Sequence, residues 1–264
     1  MDIIYYLRPL LTSMTLCTPR LLTAFIIAPF FNTEMITGTT RNCIVLVFSL
    51  ILFPTVHPFV EGHSISIGFI LAVAIKEAVI GALIGYLAGL FFHAIQSVGH
   101  VIDYQRGAAM AQVLDPATGE QSSPLGSLYF QMAIILFFTS GGFLLFLSGM
   151  YESYRVWPIA TYWPRFDSNF ALFILGKVDE MMALTVLLAS PVVIALFISE
   201  MGLGLINRFA PQLNVFFLSM PVKSGVGLVI MVCYLQFLLS FIKDGFIQRF
   251  DIYNLFETLR QMVH

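Results

Sequence analysis

The sequence predicts an α-helical membrane protein that crosses the bilayer several times, and three observations lead to this fold class. Of the 264 residues, 58% are hydrophobic and only 11% are charged, whereas soluble domains carry about 25% charged residues. The mean hydropathy is +0.88. Apolar runs recur along the chain, several of them close to the ~20 residues that cross a bilayer as a helix.

Six apolar runs, taken in chain order, are the candidate spans. They cover residues 10–31, 43–56, 65–95, 128–150, 181–199 and 213–242. Only the run over 128–150 has the length of one span and contains neither a charged residue nor a proline. The run over 43–56 is short, those over 65–95 and 213–242 are long, and the runs contain Pro19, Pro29, Pro54, Pro191 and Pro221. We therefore expect irregular helices.

Charged residues also interrupt these runs: Arg20, Lys76, Glu77 and Lys223 lie inside them, and Glu200 lies at the edge of one. Each such charge costs roughly 2.5–3.5 kcal/mol at the bilayer centre. We therefore expect these side chains to face protein or water and to include at least one buried ion pair, for which Lys76 with Glu200 is the first pairing to test. The alternative is that individual side chains reach the membrane surface.

Three glycines, Gly81, Gly85 and Gly89, recur every four residues and so share one face of the third run. A strip of this kind allows another helix to approach closely. The approaching helix could belong to this chain or to another subunit, so the sequence predicts close packing without identifying the partner.

The sequence contains no pattern typical of an enzyme, a metal site or a nucleic-acid-binding protein. The net charge is −2, which provides no basic surface for nucleic acid. The histidines form no HExxH motif, the glycines form no phosphate-binding GxxxxGK[ST] motif, and the cysteines form no CxxC. We predict a non-enzymatic protein with no catalytic residue, cofactor or metal.

A polar segment over residues 96–127 separates the third and fourth runs. Connections of this length are usually functional or disordered. An apolar stretch over 108–114 lies within it, and Asp115, Pro116 and Gly119 then have the composition of a turn. These features predict a hairpin-like loop with an apolar tip. At membrane depth such a loop is tolerated only in protein or beside a watery cavity.

Three stretches then identify a resemblance that extends over essentially the full chain. They are IDYQRGAAMAQVLDPATGEQSSPLG at 102–126, TSGGFLLFLSGMYESYRVWP at 139–158 and NRFAPQLNVFFLSMPVKSG at 207–225. They resemble the family of export-apparatus membrane proteins shared by type III secretion injectisomes and flagella. The chain is more similar to the injectisome branch (SctT, also SpaR, YscT or EscT) than to flagellar FliR, which usually has Met-Gly-Phe at positions 106–108.

The resemblance implies an all-α fold of kinked, broken helical hairpins in one domain over 1–264. It implies a non-enzymatic subunit of a helical hetero-oligomeric export gate in the inner membrane, partly raised toward the periplasm. The implied partners are SctR-like and SctS-like (FliP-like and FliQ-like) subunits, a SctU-like (FlhB-like) switch protein, membrane lipid and exported unfolded polypeptides, but no nucleic acid.

The resemblance also implies that residues 106–123 form a pore plug in the export channel. The residues carried over to this role are Arg106, Gly107, Met110, Gln112, Val113, Leu114, Asp115, Pro116 and Gly119. Apolar side chains near the tip would fill a constriction, and the glycines would allow the backbone to rotate. The alternative is a loop packed on the outer surface of the assembly.

Two other functions remain open at this point. One is a flagellar export-gate subunit. The other is a small ion-coupled transporter in which Lys76, Glu77 and Glu200 form a relay, since charges within spans and broken helices are typical of transporters. Against a transporter, the two halves of the sequence show no internal repeat.

Overall fold

The computed structural model describes residues 2–31, 36–61, 66–107, 123–159, 168–209 and 215–249. Within these ranges all regular structure is helical and no strand occurs, which confirms the predicted all-α class. The helices are α1 (Asp2–Ile27), α2 (Gly38–Leu50), α3 (Phe53–Glu61), α4 (Ile67–Arg106), α5 (Pro124–Thr139), α6 (Gly142–Val156), α7 (Ser168–Phe209) and α8 (Val215–Arg249), with a short 3₁₀ helix at Pro29–Phe31.

Among the described residues, four helical segments are long and apolar enough to cross a membrane: Pro9–Ile27, Ile67–Arg106, Phe170–Phe209 and Leu218–Phe246. Helices α5 and α6 make a fifth if their bent pair counts as one span. Helix α4 has 40 residues and α7 has 42, so each is about 60 Å long at 1.5 Å per residue. That length is roughly twice the thickness of a hydrocarbon core, so parts of both helices need surroundings other than lipid tails.

The candidate span over 128–150 is not one continuous helix. The helix ends at Thr139 and a new one begins at Gly142. Between them Gly141 has φ +81°, a left-handed conformation that residues with a side chain rarely adopt. A Cβ at Gly142 would lie 2.5 Å from a ring carbon of Phe137, so both glycines are needed for the sharp bend.

The short run over 43–56 is also not a single span, because it is divided between α2 and α3. The amides of Ile51 and Leu52 donate to the carbonyls of Phe48 and Ser49, three residues back, at 3.3 and 3.1 Å. These tight bonds end α2. Pro54 then occupies the second position of α3, where its missing amide hydrogen leaves no helical bond unmade.

The chain divides into two compact units. Unit 1 comprises Met1–Leu90, Phe143–Leu175 and Arg249–His264, and unit 2 comprises Phe91–Gly142 and Gly176–Gln248. Each has an aromatic core among its described residues. In unit 1 the rings of Phe25 and Phe31 stack at 4.7 Å, and Phe30 meets Phe146 edge to face at 5.0 Å. In unit 2 Phe91, Phe92 and Phe137 each lie 4.8–5.3 Å from Phe246.

Candidate functional site

A cluster of three buried charges joins α1 and α4 inside unit 1. Arg20 Nε lies 2.6 Å from Glu77 Oε2, and Lys76 Nζ lies 3.0 Å from Glu77 Oε1. The side chains of Arg20 and Glu77 are wholly buried, and that of Lys76 is 4% exposed. The prediction that the intramembrane charges include a buried ion pair is therefore confirmed.

The two cations of this cluster also bind the end of α6. Arg20 Nη1 donates to Ser153 Oγ at 2.9 Å, and its Nη2 donates to the Trp157 carbonyl at 2.8 Å. Lys76 Nζ donates to the carbonyls of Pro158 and Ile159 at 3.1 and 3.0 Å. Carbonyls at and beyond a helix C-terminus carry partial negative charge. These carbonyls therefore stabilise the two cations.

An aromatic side chain completes the surroundings of Arg20. Its guanidinium carbon lies 3.9 Å from the ring centroid of Tyr154, within the range of a cation–π contact. The Tyr154 hydroxyl donates to the Cys17 carbonyl at 3.0 Å. Sequence reasoning did not assign this role to Tyr154 or Ser153, although both lie in the YESYRVWP stretch that contributed to the resemblance.

The glycines at 81 and 85 bring α4 against α1 of the same chain. A Cβ at Gly85 would lie 2.6 Å from the Ala24 carbonyl oxygen and 3.0 Å from its Cα. A Cβ at Gly81 would clash with the backbone of Arg20 and the hydroxyl of Thr23. The sequence left open whether these glycines pack against a helix of this chain or of another subunit. Gly81 and Gly85 pack against a helix of this chain. Gly89 is buried as well.

A second site lies in unit 2, at the base of the polar loop. Asp103 Oδ2 accepts hydrogen bonds from Ser123 Oγ at 2.5 Å and from the Leu125 amide at 3.0 Å. Asp103 Oδ1 lies 2.8 Å from Arg106 Nη2. The buried carboxylate thus joins the last turns of α4 to the residue before α5. We call this group of Asp103, Arg106, Ser123 and Leu125 the clamp.

Close backbone packing surrounds the clamp. A Cβ at Gly99 would lie 2.5 Å from the Leu125 carbonyl carbon and 2.6 Å from Gly126 Cα. A Cβ at Gly126 would lie 2.7 Å from His100 Cδ2. Immediately after α4, Gly107 has φ +87°, so the chain turns away from the helix in a conformation that favours glycine.

The predicted plug residues are only partly within the described chain. Arg106 and Gly107 stand at the end of α4 as part of the base of the loop. The others lie outside the described residues: Met110, Gln112, Val113, Leu114, Asp115, Pro116 and Gly119. The plug remains a prediction. Sequence reasoning missed the clamp, although Ser123 before Pro124 is a typical helix start.

The remaining intramembrane charges, Glu200 and Lys223, lie in unit 2. Lys76 contacts Glu77 in unit 1, and Glu200 Oε1 lies 3.4 Å from Lys223 Nζ in unit 2. The Glu200 side chain is 51% exposed, against 11% for Lys223. Lys76 and Glu200 belong to different units, and their predicted pairing stays a prediction.

Comparison with known proteins identifies the family. Residues 11–248 match the family described as "Bacterial export proteins, family 1". The chain is 39% identical over 236 residues to Yop proteins translocation protein T of Yersinia pestis, covering 88% of this chain and 89% of the relative. It is 30% identical over 231 residues to the surface presentation of antigens protein SpaR of Salmonella typhimurium (87% and 85%).

A flagellar relative matches over a similar extent. The chain is 29% identical over 229 residues to the flagellar biosynthetic protein FliR of Bacillus subtilis, covering 86% of this chain and 87% of the relative. The family match includes most of both units, with the buried charge cluster and the clamp. The chain therefore belongs to bacterial export protein family 1, as a member of the SctT family that is homologous to flagellar FliR.

Proposed function

We propose that the chain is a non-enzymatic subunit of the type III secretion export gate in the bacterial inner membrane, where it forms part of the channel entrance. Relatives named for protein translocation and for flagellar biosynthesis support a role in export. Identity of 39% to the Yersinia protein, against 29% to the Bacillus flagellar protein, favours secretion over flagellar assembly. Exported unfolded polypeptides are then the substrates.

The observation that carries the proposal is the clamp. Arg106 and Ser123 both contact the Asp103 carboxylate, so the two ends of the segment between them lie close together. We propose that residues 106–123 project from this point as a plug. A channel wide enough for an unfolded polypeptide would leak ions at rest, and an apolar loop tip can fill a constriction and later withdraw.

The exposed surface of unit 2 supports the proposed partners. Glu200 is half exposed within a segment long enough to span the membrane, and a carboxylate facing lipid there is costly. Gly202 and Gly204 follow Glu200 in α7, and Gly225 lies in α8, two residues after Lys223. All three have open space where a Cβ would be, which permits close approach of another helix. SctR-like and SctS-like subunits are the proposed neighbours, with a SctU-like protein at the assembled gate.

The transporter hypothesis is less well supported. Glu77 contacts both Arg20 and Lys76 inside a buried cluster, so its carboxylate is held in structural ion pairs. A proton relay requires groups that exchange protons and partners during the cycle. In the gate proposal the same charges need only hold helices together.

Deletion of residues 108–114 tests the plug. When the deleted chain is expressed with its partner subunits, the complex should assemble, and small ions or dyes should cross the membrane faster than with the unaltered chain. Pull-down of the partners measures assembly, and dye entry into cells measures permeability. Normal assembly without increased permeability would mean that the loop lies on the surface of the complex.

A further inference from the structure

One face of α7 in unit 2 is exposed along the last part of the helix. Residues four positions apart share a helix face, and one such row comprises Phe197, Met201 and Leu205, each more than half exposed. The adjacent row contains Glu200, which is half exposed, and Gly204, where a Cβ would have nothing within 4 Å. We call these five residues the open face.

The opposite side of α7 is occupied within the chain. Val192, Leu196 and Leu203 are buried, and a Cβ at Gly227 of α8 would lie 3.3 Å from Leu196 Cδ2. The packing of α7 against α8 therefore uses the buried side of the helix and leaves the open face uncovered.

A carboxylate among exposed apolar side chains is poorly suited to lipid and to water alike. At hydrocarbon depth an exposed charge is costly. In water, Phe197, Met201 and Leu205 would lose the stabilisation that burial of apolar surface provides, and apolar patches bordered by polar residues mark interaction sites. A protein surface that buries these side chains and supplies a donor to Glu200 meets both requirements at either depth.

The Glu200 carboxylate has room for a second cation. Its Oε1 lies 3.4 Å from Lys223 Nζ, which is its one ion-pair contact among the described residues. A charged donor is favoured over a neutral one, because charge-assisted hydrogen bonds are roughly twice as strong. Glu77 in unit 1 shows that a carboxylate of this chain can hold two cations, Arg20 and Lys76.

The open space at Gly204 indicates that the covering element is a helix. A glycine allows a helix backbone to approach closely, as Gly85 allows α4 to approach α1. A second copy of this chain fits poorly. Two copies inserted in the same orientation have parallel α7 helices, so a two-fold axis at the open face would bring Glu200 opposite Glu200 and place two carboxylates together.

We propose that the open face binds a helix of a partner subunit that carries a lysine or arginine opposite Glu200. The inference rests on the proposed gate function, which provides partner subunits in the same membrane, and it adds the chemistry of the contact. Apolar side chains of the partner helix cover Phe197, Met201 and Leu205, and its backbone passes over Gly204. Glu200 thus selects the partner by charge.

A larger side chain at Gly204 tests where the partner helix lies. Gly204→Leu has room within the chain itself, so it should keep the fold but obstruct the partner. Gly176→Leu is the matched control, since Gly176 lies in the same helix and a Cβ there also has nothing within 4 Å. Each tagged chain is expressed with SctR-like and SctS-like subunits, and the amounts of chain in the membrane and of copurified partner are measured.

At equal amounts of chain in the membrane, we expect roughly 10-fold less copurified partner with Gly204→Leu, because overpacking a close contact costs about 1–3 kcal/mol. Gly176→Leu should match the unaltered chain. Equal recovery of partner with both variants would overturn the proposal.

Inversion of charge on the open face tests the ion pair. Glu200→Lys combined with Lys223→Glu keeps the ion pair within the chain but presents a cation to the partner. Copurified partner should fall roughly 10- to 100-fold, the effect of losing a hydrogen bond to a charged group. Asp179→Lys, at an exposed carboxylate of the same helix, should have little effect.

The partner's cation is identified by rescue. Each lysine and arginine within the spans of the partner subunits is changed singly to glutamate and expressed with the chain that carries both charge changes. One of these changes should restore copurification with the altered chain and weaken it with the unaltered chain. If none restores it, Glu200 has no partner cation and the proposal fails.

The unaltered complex separates failure of this inference from failure of the proposed function. If the unaltered chain retains no SctR-like or SctS-like subunit, the proposed function fails and the inference fails with it. If every variant retains these subunits, the gate function stands and the open face does not bind them. A photo-crosslinker at Met201 identifies what covers the face: an adduct with a partner subunit supports the proposal, whereas adducts with a second copy or with lipid alone contradict it.

Discussion

At the scale of single residues, Glu77 is the charge on which unit 1 depends most. Its carboxylate contacts both Arg20 and Lys76. If either cation is removed, one balanced ion pair remains. If the carboxylate is removed, two buried cations remain side by side. The three charges therefore differ in importance although all are buried.

Glu77→Gln should destabilise the assembled complex by about 3–5 kcal/mol, the usual cost of breaking a buried pair. Lys76→Met should cost less, because Arg20 and Glu77 keep their 2.6 Å contact. Thermal unfolding of the purified complex would measure the difference. Lys177→Met is the control: its pair with Glu180 is about 40% exposed, and such surface pairs contribute about 0–1 kcal/mol.

Equal loss of stability in Glu77→Gln and Lys76→Met would contradict the assignment of Glu77 as the central charge. It would mean that the bonds from Lys76 to the carbonyls of Pro158 and Ile159 matter as much as the carboxylate.

At the scale of helices, the contact of α4 with α1 depends on the absence of a side chain at Gly85. Gly85→Leu places a Cβ 2.6 Å from the backbone oxygen of Ala24, and backbone cannot move aside as a flexible side chain can. We expect a loss of about 1–3 kcal/mol or more, seen as reduced assembly and secretion. Gly68→Leu, in the same helix with its nearest neighbour 4.0 Å away, should be tolerated.

If Gly85→Leu assembles and secretes as well as Gly68→Leu, then α1 and α4 do not need their close approach. The burial of Arg20 against Glu77 would then have to be maintained by a wider separation of the helices.

The bend between α5 and α6 makes a separate prediction. Gly141 has φ +81° and open space where a Cβ would be, so a substitution there meets strain without a clash. Gly141→Ala should cost about 1–2 kcal/mol, measured by thermal unfolding of the complex. Gly141→Asn should cost less, since asparagine tolerates this conformation better. Equal stability of all three chains would show that the bend does not require the left-handed backbone.

The helical class, the approximate positions of the helices and close packing at Gly81 and Gly85 could be predicted from the sequence. Apolar runs and a four-residue spacing of glycines are local patterns that the sequence shows directly. The break at Gly141 could not be predicted, because the hydropathy of an apolar run does not indicate where the backbone changes direction. The clamp was missed for another reason. Asp103 and Ser123 are 20 positions apart, and only the crossing of α4 and α5 brings them together.

At the scale of the whole molecule, the chain exposes both apolar side chains and a charged side chain within its span-length segments. Val186, Phe209 and Val232 are 70%, 86% and 67% exposed, while Glu200 is half exposed within a span-length segment. Apolar groups can face lipid, but a carboxylate needs protein or water. This combination indicates a surface made for other subunits.

We therefore expect the chain to require its partners for stability. Expressed alone, it should aggregate or be degraded in detergent, and coexpression with SctR-like and SctS-like subunits should restore a monodisperse complex. Size-exclusion chromatography and thermal unfolding would measure both. A stable, monodisperse monomer would contradict obligate assembly and would favour the transporter hypothesis.

The contact between Arg20 and Glu77 also constrains how the protein is made. Glu77 follows Arg20 by 57 positions, which is about 3–11 s of synthesis at 5–20 residues per second. Ser153 follows 133 positions after Arg20, about 7–27 s later. Until Glu77 is made, the guanidinium of Arg20 has none of its final side-chain partners, at a cost of roughly 2.5–3.5 kcal/mol at the bilayer centre. We therefore expect α1 to remain beside the insertion machinery, or near the membrane surface, until α4 arrives, so that α1 reaches its final depth only after α4 has been made.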